Sequence, residues 1–195
     1  RLLAAGHAEQ HIIEQMIHGR DIDPVNAAGT VEMLGASTYN HNIKSGNSLT
    51  EKWDMKFDVV IGNPPYQDNN PSSTVALYDQ FYYLATRLAN STVAFVSPTT
   101  WLNSKKSNLS KLRKFLIQNG LVSVQQLNAQ RTFGVMIDAC GYTIQHINVQ
   151  AVYIPIALLT GGEASLPITG EPAVLTDDVN VISIMQKIRS GTPLA

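Results

Sequence analysis

The sequence predicts an α/β fold, and three observations carry that expectation. Short apolar runs suited to buried strands alternate with segments of helical period. Most of the runs are nearly continuous in apolar residues, as strands covered on both faces are. Between Leu121 and Val149 the pattern changes to two strands with no helix between them, joined through Gly134 and Gly141, which predicts an antiparallel pair. The expected sheet is therefore mostly parallel, with an antiparallel hairpin at its edge.

Taken in chain order, the expected strands are residues 16–23, a weaker 42–46, then 57–62, 92–97, 121–127 and 142–149. Between the third and fourth, Leu77, Phe81, Leu84, Ala85 and Leu88 recur on one helix face, with Asp79, Gln80 and Arg87 on the other. A second helix starts near Ser107 or Asn108, buries Leu109, Leu112, Phe115 and Leu116, and stops at Gly120, which suits the left-handed position after a helix end. Beyond Pro155 the run of Gly161, Gly162, Pro167, Gly170 and Pro172 reads as an irregular loop, followed by a short helix over 179–189.

At 195 residues and 44% hydrophobic content, one domain with a real core is expected. The first residue is Arg1 rather than Met, and Ser190 to Ala195 carry no recognisable helix or strand ending, so a fragment is expected at both ends. A formal charge of −1 gives no global attraction for a polyanion, so a nucleic-acid surface has to be a local patch. The single cysteine, Cys140, rules out an internal disulfide framework and fits the reducing cytoplasm. No apolar run approaches the roughly 18 residues of a membrane-spanning helix, and no signal-peptide pattern opens the chain.

The chemistry concentrates after the third strand. Asp58-Val59-Val60-Ile61-Gly62 runs directly into Asn63-Pro64-Pro65-Tyr66, placing the tetrapeptide at a strand's carboxyl end, where open α/β sheets bind ligands. Two prolines stiffen the backbone and remove two N–H donors, so the segment presents carbonyl acceptors. An exocyclic amine conjugated to a ring is a poor nucleophile until acceptors draw on both of its hydrogens. The Asn63 side-chain oxygen and the Pro64 carbonyl supply two, allowing the nitrogen to attack a methyl donor in line without a covalent enzyme intermediate. Tyr66 offers a ring on which a base turned out of a duplex can stack. The alternative is a plain strand-ending turn, since Asn and Pro are common in turns, yet the tetrapeptide arises by chance on the order of once in a thousand chains of this length.

The segment FDVVIGNPPYQ, residues 57–67, resembles the N6-adenine DNA methyltransferases of restriction-modification systems and their phage-borne relatives, and the resemblance runs over residues 2–149. It implies a Rossmann-like, S-adenosylmethionine-dependent methyltransferase fold in a bacterial or phage-infected cytoplasm, acting on adenine in double-stranded DNA. Asp21 matches the acid that holds the cofactor ribose, Ile22 would lie against the cofactor's adenine ring, and Asp23 suits a helix cap before Pro24. Asn47 stands where the family usually has Asp and keeps an acceptor for the adenine amine, with a simple turn after Gly46 as the alternative. Residues 77–89 and 93–102 resemble later family blocks, and Arg131-Thr132-Phe133-Gly134-Val135 resembles the block whose aromatic residue flanks the target base, here Phe133. The family's glycine-rich first motif has no counterpart before Asp21. The first central strand is thus expected to be missing, leaving a gap flanked by the strands ending at Asp21 and Ile61, to be filled by an N-terminal segment or a partner chain. Residues 1–155 read as a partial catalytic domain and 156–195 as a linker or the start of a target-recognition region.

Weaker signals complete the reading. His7 and His11 are four apart on an expected helix, but no third ligand accompanies them and no metal is expected. Lys105, Lys106, Lys111, Arg113 and Lys114 form a basic cluster that either meets phosphates, Lys105 and Lys106 foremost, or is a solvated helix face. The loop 67–74 lies beside the motif and either orders on substrate or is an ordinary surface loop. Adenine is preferred to cytosine because the family's cytosine enzymes usually carry Ser at the position of Asn63. A second reading is an enzyme for the glutamine of release factors or for guanine in RNA, and a third is a truncated remnant that only binds.

Overall fold

The computed structural model describes residues 2–66, 77–133, 140–173 and 175–176. It divides into two compact units, Arg1–Asp54 and Met55–Ala195.

In the first unit a short α1 (Glu9–His11) widens into a π-type turn (Ile12–Met16) that buries Ile12 and Ile13. Then come β1 (His18–Asp21), α2 (Pro24–Met33) and β2 (Asn42–Ser45). The strands pair in parallel, His18 opposite Asn42 through Asp21 opposite Ser45. Asp23 starts α2: its side chain accepts from the Val25 N–H at 2.8 Å, with Pro24 in the first turn, where a missing N–H costs nothing. Asp23 is thus the helix cap that the sequence suggests. The helix itself buries one side chain, Ala27, too little to print an apolar period.

The second unit comprises β3 (Phe57–Gly62), α3 (Tyr78–Leu88), β4 (Ala89–Pro98), a 3-10 turn at Thr100–Leu102, α4 (Ser107–Gln118), β5 (Leu121–Leu127), α5 (Ala129–Phe133), β6 (Cys140–His146), β7 (Ile154–Ala157) and β8 (Glu163–Leu166). Its sheet has the order β3-β4-β6-β5-β7-β8. Pairs β3–β4 and β5–β7 are parallel, whereas β4–β6, β5–β6 and β7–β8 are antiparallel. The expected antiparallel pair is present as β5 and β6, but the short helix α5 stands between them in the chain where none was expected, the pair lies inside the sheet rather than at the edge, and the sheet is mixed.

The displacement has a simple cause. The stretch beyond Pro155, read as an irregular loop, instead forms most of the hairpin β7–β8, which continues the sheet beyond β5. Ile154, Ile156, Ala164 and Leu166 alternate inward, and Gly161 takes φ 88° in the turn, a conformation cheap only for glycine. The expected helix over 179–189 and the loop 67–74 lie outside the described residues.

The core lies between this sheet and its helices. α3 contributes Tyr78, Tyr82 and Ala85, α4 contributes Leu109, Leu112 and Leu116, and the sheet contributes Val93, Phe95, Leu121, Val124 and Ile156. The helices meet at Tyr83 and Phe115, edge to face at 4.6 Å. α4 ends as expected: Gly120 has φ 88°, and a Cβ there would collide with the His146 carbonyl. A polar network crosses the core. The buried Tyr82 hydroxyl bonds Ser97 Oγ at 2.9 Å and also Thr143 Oγ1, while Thr143 Oγ1 donates to the Phe95 carbonyl at 3.3 Å. Hydrogen bonding of this kind makes buried hydroxyls tolerable.

One strand departs from expectation. β3 reads as buried on both faces, but Val59 is 55% and Ile61 77% exposed, with only Val60 packed against the core. β3 terminates the sheet order and pairs with β4 alone, as β1 pairs with β2 alone, among the described residues. The strands ending at Asp21 and at Ile61–Gly62 thus each have one edge unpaired among the described residues.

Candidate functional site

Gly62 ends β3 opposite Phe95 of the parallel neighbour, and its missing Cβ matters, because one would stand 3.2 Å from the Phe95 ring. The chain leaves the strand into Asn63-Pro64-Pro65-Tyr66 with Pro64 buried and Asn63 and Pro65 exposed. The apolar ring of Pro64 anchors the turn, which leaves the Asn63 amide outward. Tyr66 is half-buried, and its hydroxyl meets Cys140 Sγ at 3.5 Å. Cys140 opens β6 opposite Pro98 of β4 and Leu127 of β5, so three strands fix the sulfur that holds the ring. Burial first, and then the Cys140 thiol, push the Tyr66 hydroxyl well above its ordinary range. It stays protonated, so it offers a ring and an O–H rather than a base.

The same end of the sheet contains Thr99 and Trp101, which sequence reasoning placed only in a family-like block. Both are fully buried, and Thr99 Oγ1 and Trp101 Nε1 meet no hydrogen-bond partner among the described residues. No sequence signal marks such orphaned atoms, because they follow from packing rather than from residue type.

Lys105 and Lys106 lie exposed just ahead of α4, with Lys111 and Lys114 exposed on it. Arg113 does not belong with them. It is 1% exposed, donating from Nε to the Gly170 carbonyl at 2.9 Å and from Nη1 to the carbonyls of Trp101 at 2.6 Å and Ser104 at 3.0 Å. Its position four after Leu109 and three before Leu116 puts it on the inward face of α4, so it ties chain segments together and is not available to a phosphate. The side chain of Phe133, at the end of α5, lies outside what the structure describes, as do residues 134–139.

Asp21, Ile22 and Asn47 lie together in the first unit. One oxygen of Asp21 accepts from the Asp23 N–H at 2.8 Å, and its backbone carbonyl accepts from the Gly46 N–H at 2.8 Å. The other carboxylate oxygen meets no donor among the described residues and can still accept. Ile22 is 71% exposed, an apolar face open to a flat ring. Asn47 Oδ1 accepts from the Leu49 N–H at 2.9 Å and so caps a turn, the alternative set against its binding role. A carbonyl oxygen has two lone pairs, so the cap leaves one acceptor position. This donor and acceptor set fits an adenosyl group. His7 and His11 stack with centroids 5.9 Å apart, and no group of three or more His, Cys, Asp or Glu side chains among the described residues could hold a metal.

The profile of the Eco57I restriction-modification methylase family matches residues 6–133. An uncharacterized adenine-specific methylase of Mycoplasma pneumoniae (strain ATCC 29342 / M129 / Subtype 1) is 37% identical over 70 residues, which is 33% of this chain and 17% of that protein. Among solved structures, the M protein of the type I restriction enzyme EcoKI superposes with a TM-score of 0.59 at 12% identity, over 75% of this chain and 36% of that one. A type I restriction-modification methyltransferase subunit from Streptococcus thermophilus gives 0.60 at 16% identity, over 92% and 43%. The chain thus spans less than half the length of each of these three proteins. At such identities the solved structures speak for the fold, which is the Rossmann-like α/β fold of methyltransferases.

Proposed function

This chain belongs to the Eco57I restriction-modification methylase family, and from that membership we propose that the protein transfers a methyl group from S-adenosylmethionine to the exocyclic N6 amine of adenine in double-stranded DNA. The observation that carries the proposal is the Asn63-Pro64-Pro65-Tyr66 turn at the carboxyl end of β3, with Pro64 buried and the Asn63 amide outward. Asn63 Oδ1 and the Pro64 carbonyl accept the two amine hydrogens, which localises the nitrogen lone pair for in-line attack. Pro65 holds the turn rigid. Tyr66 stacks on the base once it has left the duplex, since its target atom is unreachable inside the helix, and Phe133 flanks that base from the other block. Asp21 holds the cofactor ribose, Ile22 covers its adenine ring and Asn47 accepts from its amine. S-adenosylmethionine supplies the activated methyl group. Lys105 and Lys106 meet DNA phosphates, which fixes position rather than sequence. The open edges of β1 and β3 suit a further segment or partner chain, because unpaired ladders seek a strand. The cytoplasm is the fitting compartment, and no helix among the described residues is long and apolar enough to cross a membrane.

The test is methylated-base analysis of DNA treated with the wild type and with Asn63→Ala. The wild type should yield N6-methyladenine. The variant should lose nearly all turnover while binding S-adenosylmethionine as before, because the lost acceptor acts on the substrate and not on the cofactor. Label appearing in protein, in RNA guanine or in cytosine, or an active Asn63→Ala enzyme, would overturn the proposal.

A further inference from the structure

The first unit contains a bracket of three side chains around the turn that carries Asn47. Arg20, on β1, has a side chain only 11% exposed, with Nε 3.4 Å from Glu51 Oε2. Its guanidinium carbon stands 4.3 Å from the centroid of the Trp53 ring. The other oxygen of Glu51 accepts from the Asn47 N–H at 2.9 Å, and Trp53 Nε1–H donates to the Ser48 carbonyl at 3.1 Å. The Asn47 carbonyl accepts in turn from the Glu51 N–H at 3.0 Å. Gly46 completes the arrangement, because a Cβ there would collide with the Glu51 carboxylate.

We propose that Arg20 and Glu51 are positioning residues that fix the acceptor face of Asn47 toward the cofactor's adenine amine. This rests on the reading of Asn47 as that acceptor. An asparagine amide can rotate by half a turn and present a donor instead, so on its own it discriminates poorly between an amine and a carbonyl. Here the Leu49 N–H bonds Asn47 Oδ1 and sets which end of the amide accepts. Glu51 holds the Asn47 backbone from which that side chain projects. Arg20 holds Glu51 by charge and Trp53 by its cation–π contact, and Trp53 grips Ser48, so every contact converges on residues 47 and 48. Among the described residues, Arg20 Nε and Nη1 are buried without an acceptor in hydrogen-bond geometry. The ion pair and the ring face are therefore what hold the guanidinium, and its planar shape and stacking are features lysine lacks.

The experiment compares calorimetric binding of S-adenosylmethionine with that of its inosine analogue, which has a 6-oxo group in place of the amine, on the full-length protein and its variants. The ratio of the two affinities is read, since partial unfolding scales both alike and leaves the ratio unchanged. The wild type should prefer the amine, Asn47→Ala should lose the preference, and Asp21→Ala should weaken both ligands equally. Glu51→Gln and Arg20→Lys should each cut the preference about three- to tenfold, the loss expected when one hydrogen bond is misaimed. If Asn47→Ala loses the preference while Glu51→Gln and Arg20→Lys keep it in full, the positioning role is wrong and the reading of Asn47 stands. A preference that survives Asn47→Ala overturns both. Equal weakening of both ligands in Glu51→Gln and Arg20→Lys would assign them a purely structural role and overturn the proposal.

Discussion

At the scale of single residues, the consequential one after Asn63 is Tyr66. The stacking proposed for Tyr66 needs the ring, and the structure adds a contact from the hydroxyl to Cys140 Sγ at 3.5 Å. Sulfur is a weak hydrogen-bond partner, so Tyr66→Phe keeps the ring and loses little. Tyr66→Ala should cost roughly 1 to 3 kcal/mol in capture of the flipped base. Steady-state kinetics on a methylatable duplex checks this, and a Phe variant as impaired as Ala would mean that the hydroxyl matters more than the ring. The turn of Asn63, Pro64 and Tyr66 at the end of β3 was legible in the sequence, because the apolar run before it and its two prolines are local features. Cys140 as the partner of Tyr66 was not, since 74 residues separate them and the ladders of β6 with β4 and β5 are what bring Cys140 to that end of the sheet.

At the scale of elements, α4 separates two roles that a run of basic residues conceals. Arg113→Met leaves the carbonyls of Trp101, Ser104 and Gly170 without their donor and should destabilise the protein by about 2 kcal/mol or more, the cost of orphaning buried polar groups. Lys105→Ala and Lys106→Ala should leave stability unchanged and each lower the slope of log affinity for DNA against log salt by about one. Denaturant melts and salt titrations decide between these outcomes, and an Arg113→Met variant of wild-type stability would contradict the buried tie. Helical period at Leu109, Leu112 and Leu116 made α4 visible, but a charge beside an inward position reads as surface unless its carbonyl partners are known. β7 and β8 escaped for another reason: at four residues each, with Pro155 inside one, neither prints a strand pattern.

The helix α3 yields a pH prediction. Burial raises the Tyr82 hydroxyl above its ordinary 10.0, although its bonds to Ser97 and Thr143 pull the other way. In the unfolded chain it ionises near 10.0, while in the fold it stays protonated well beyond. Its contribution to stability is therefore whole below pH 10 and falls as pH climbs above it. Urea melts at about pH 8 and about pH 11 should show a loss that is smaller in Tyr82→Phe, since that variant has no phenol to ionise. At pH 8 the Phe variant should be the less stable, because the Ser97 and Thr143 hydroxyls lose a partner. An equal alkaline loss in both proteins would rule Tyr82 out as its source.

At the scale of the whole molecule, the two units differ in how much apolar surface they bury. The core cluster of the second unit draws on α3, α4 and strands β4, β5, β7 and β8. The first unit has Ile12, Ile13, Ala27, Ala36 and Ile43 as its buried apolar side chains among the described residues, and a sheet of two strands. Segments of this size are marginal, because the surface they bury barely offsets the entropy of ordering them. The sequence announced strands β1 to β6, yet this imbalance depends on which runs find cover, and Ile22, Val25 and Met33 remain exposed at 71%, 75% and 91%. Amide exchange should therefore be fastest across residues 18–45 and slowest in β4 and β6, two of the four strands paired on both sides. S-adenosylmethionine, held by Asp21 and Asn47 as proposed, should protect the first unit selectively. At a hundred times its dissociation constant a ligand adds about 2.7 kcal/mol to whatever it binds, which slows exchange there by about a hundredfold. Mass-spectrometric exchange of the full-length protein with and without cofactor reads both effects. Residues 18–45 exchanging as slowly as β4 would refute the imbalance, and protection confined to the second unit would show that Asp21 and Asn47 do not hold the cofactor.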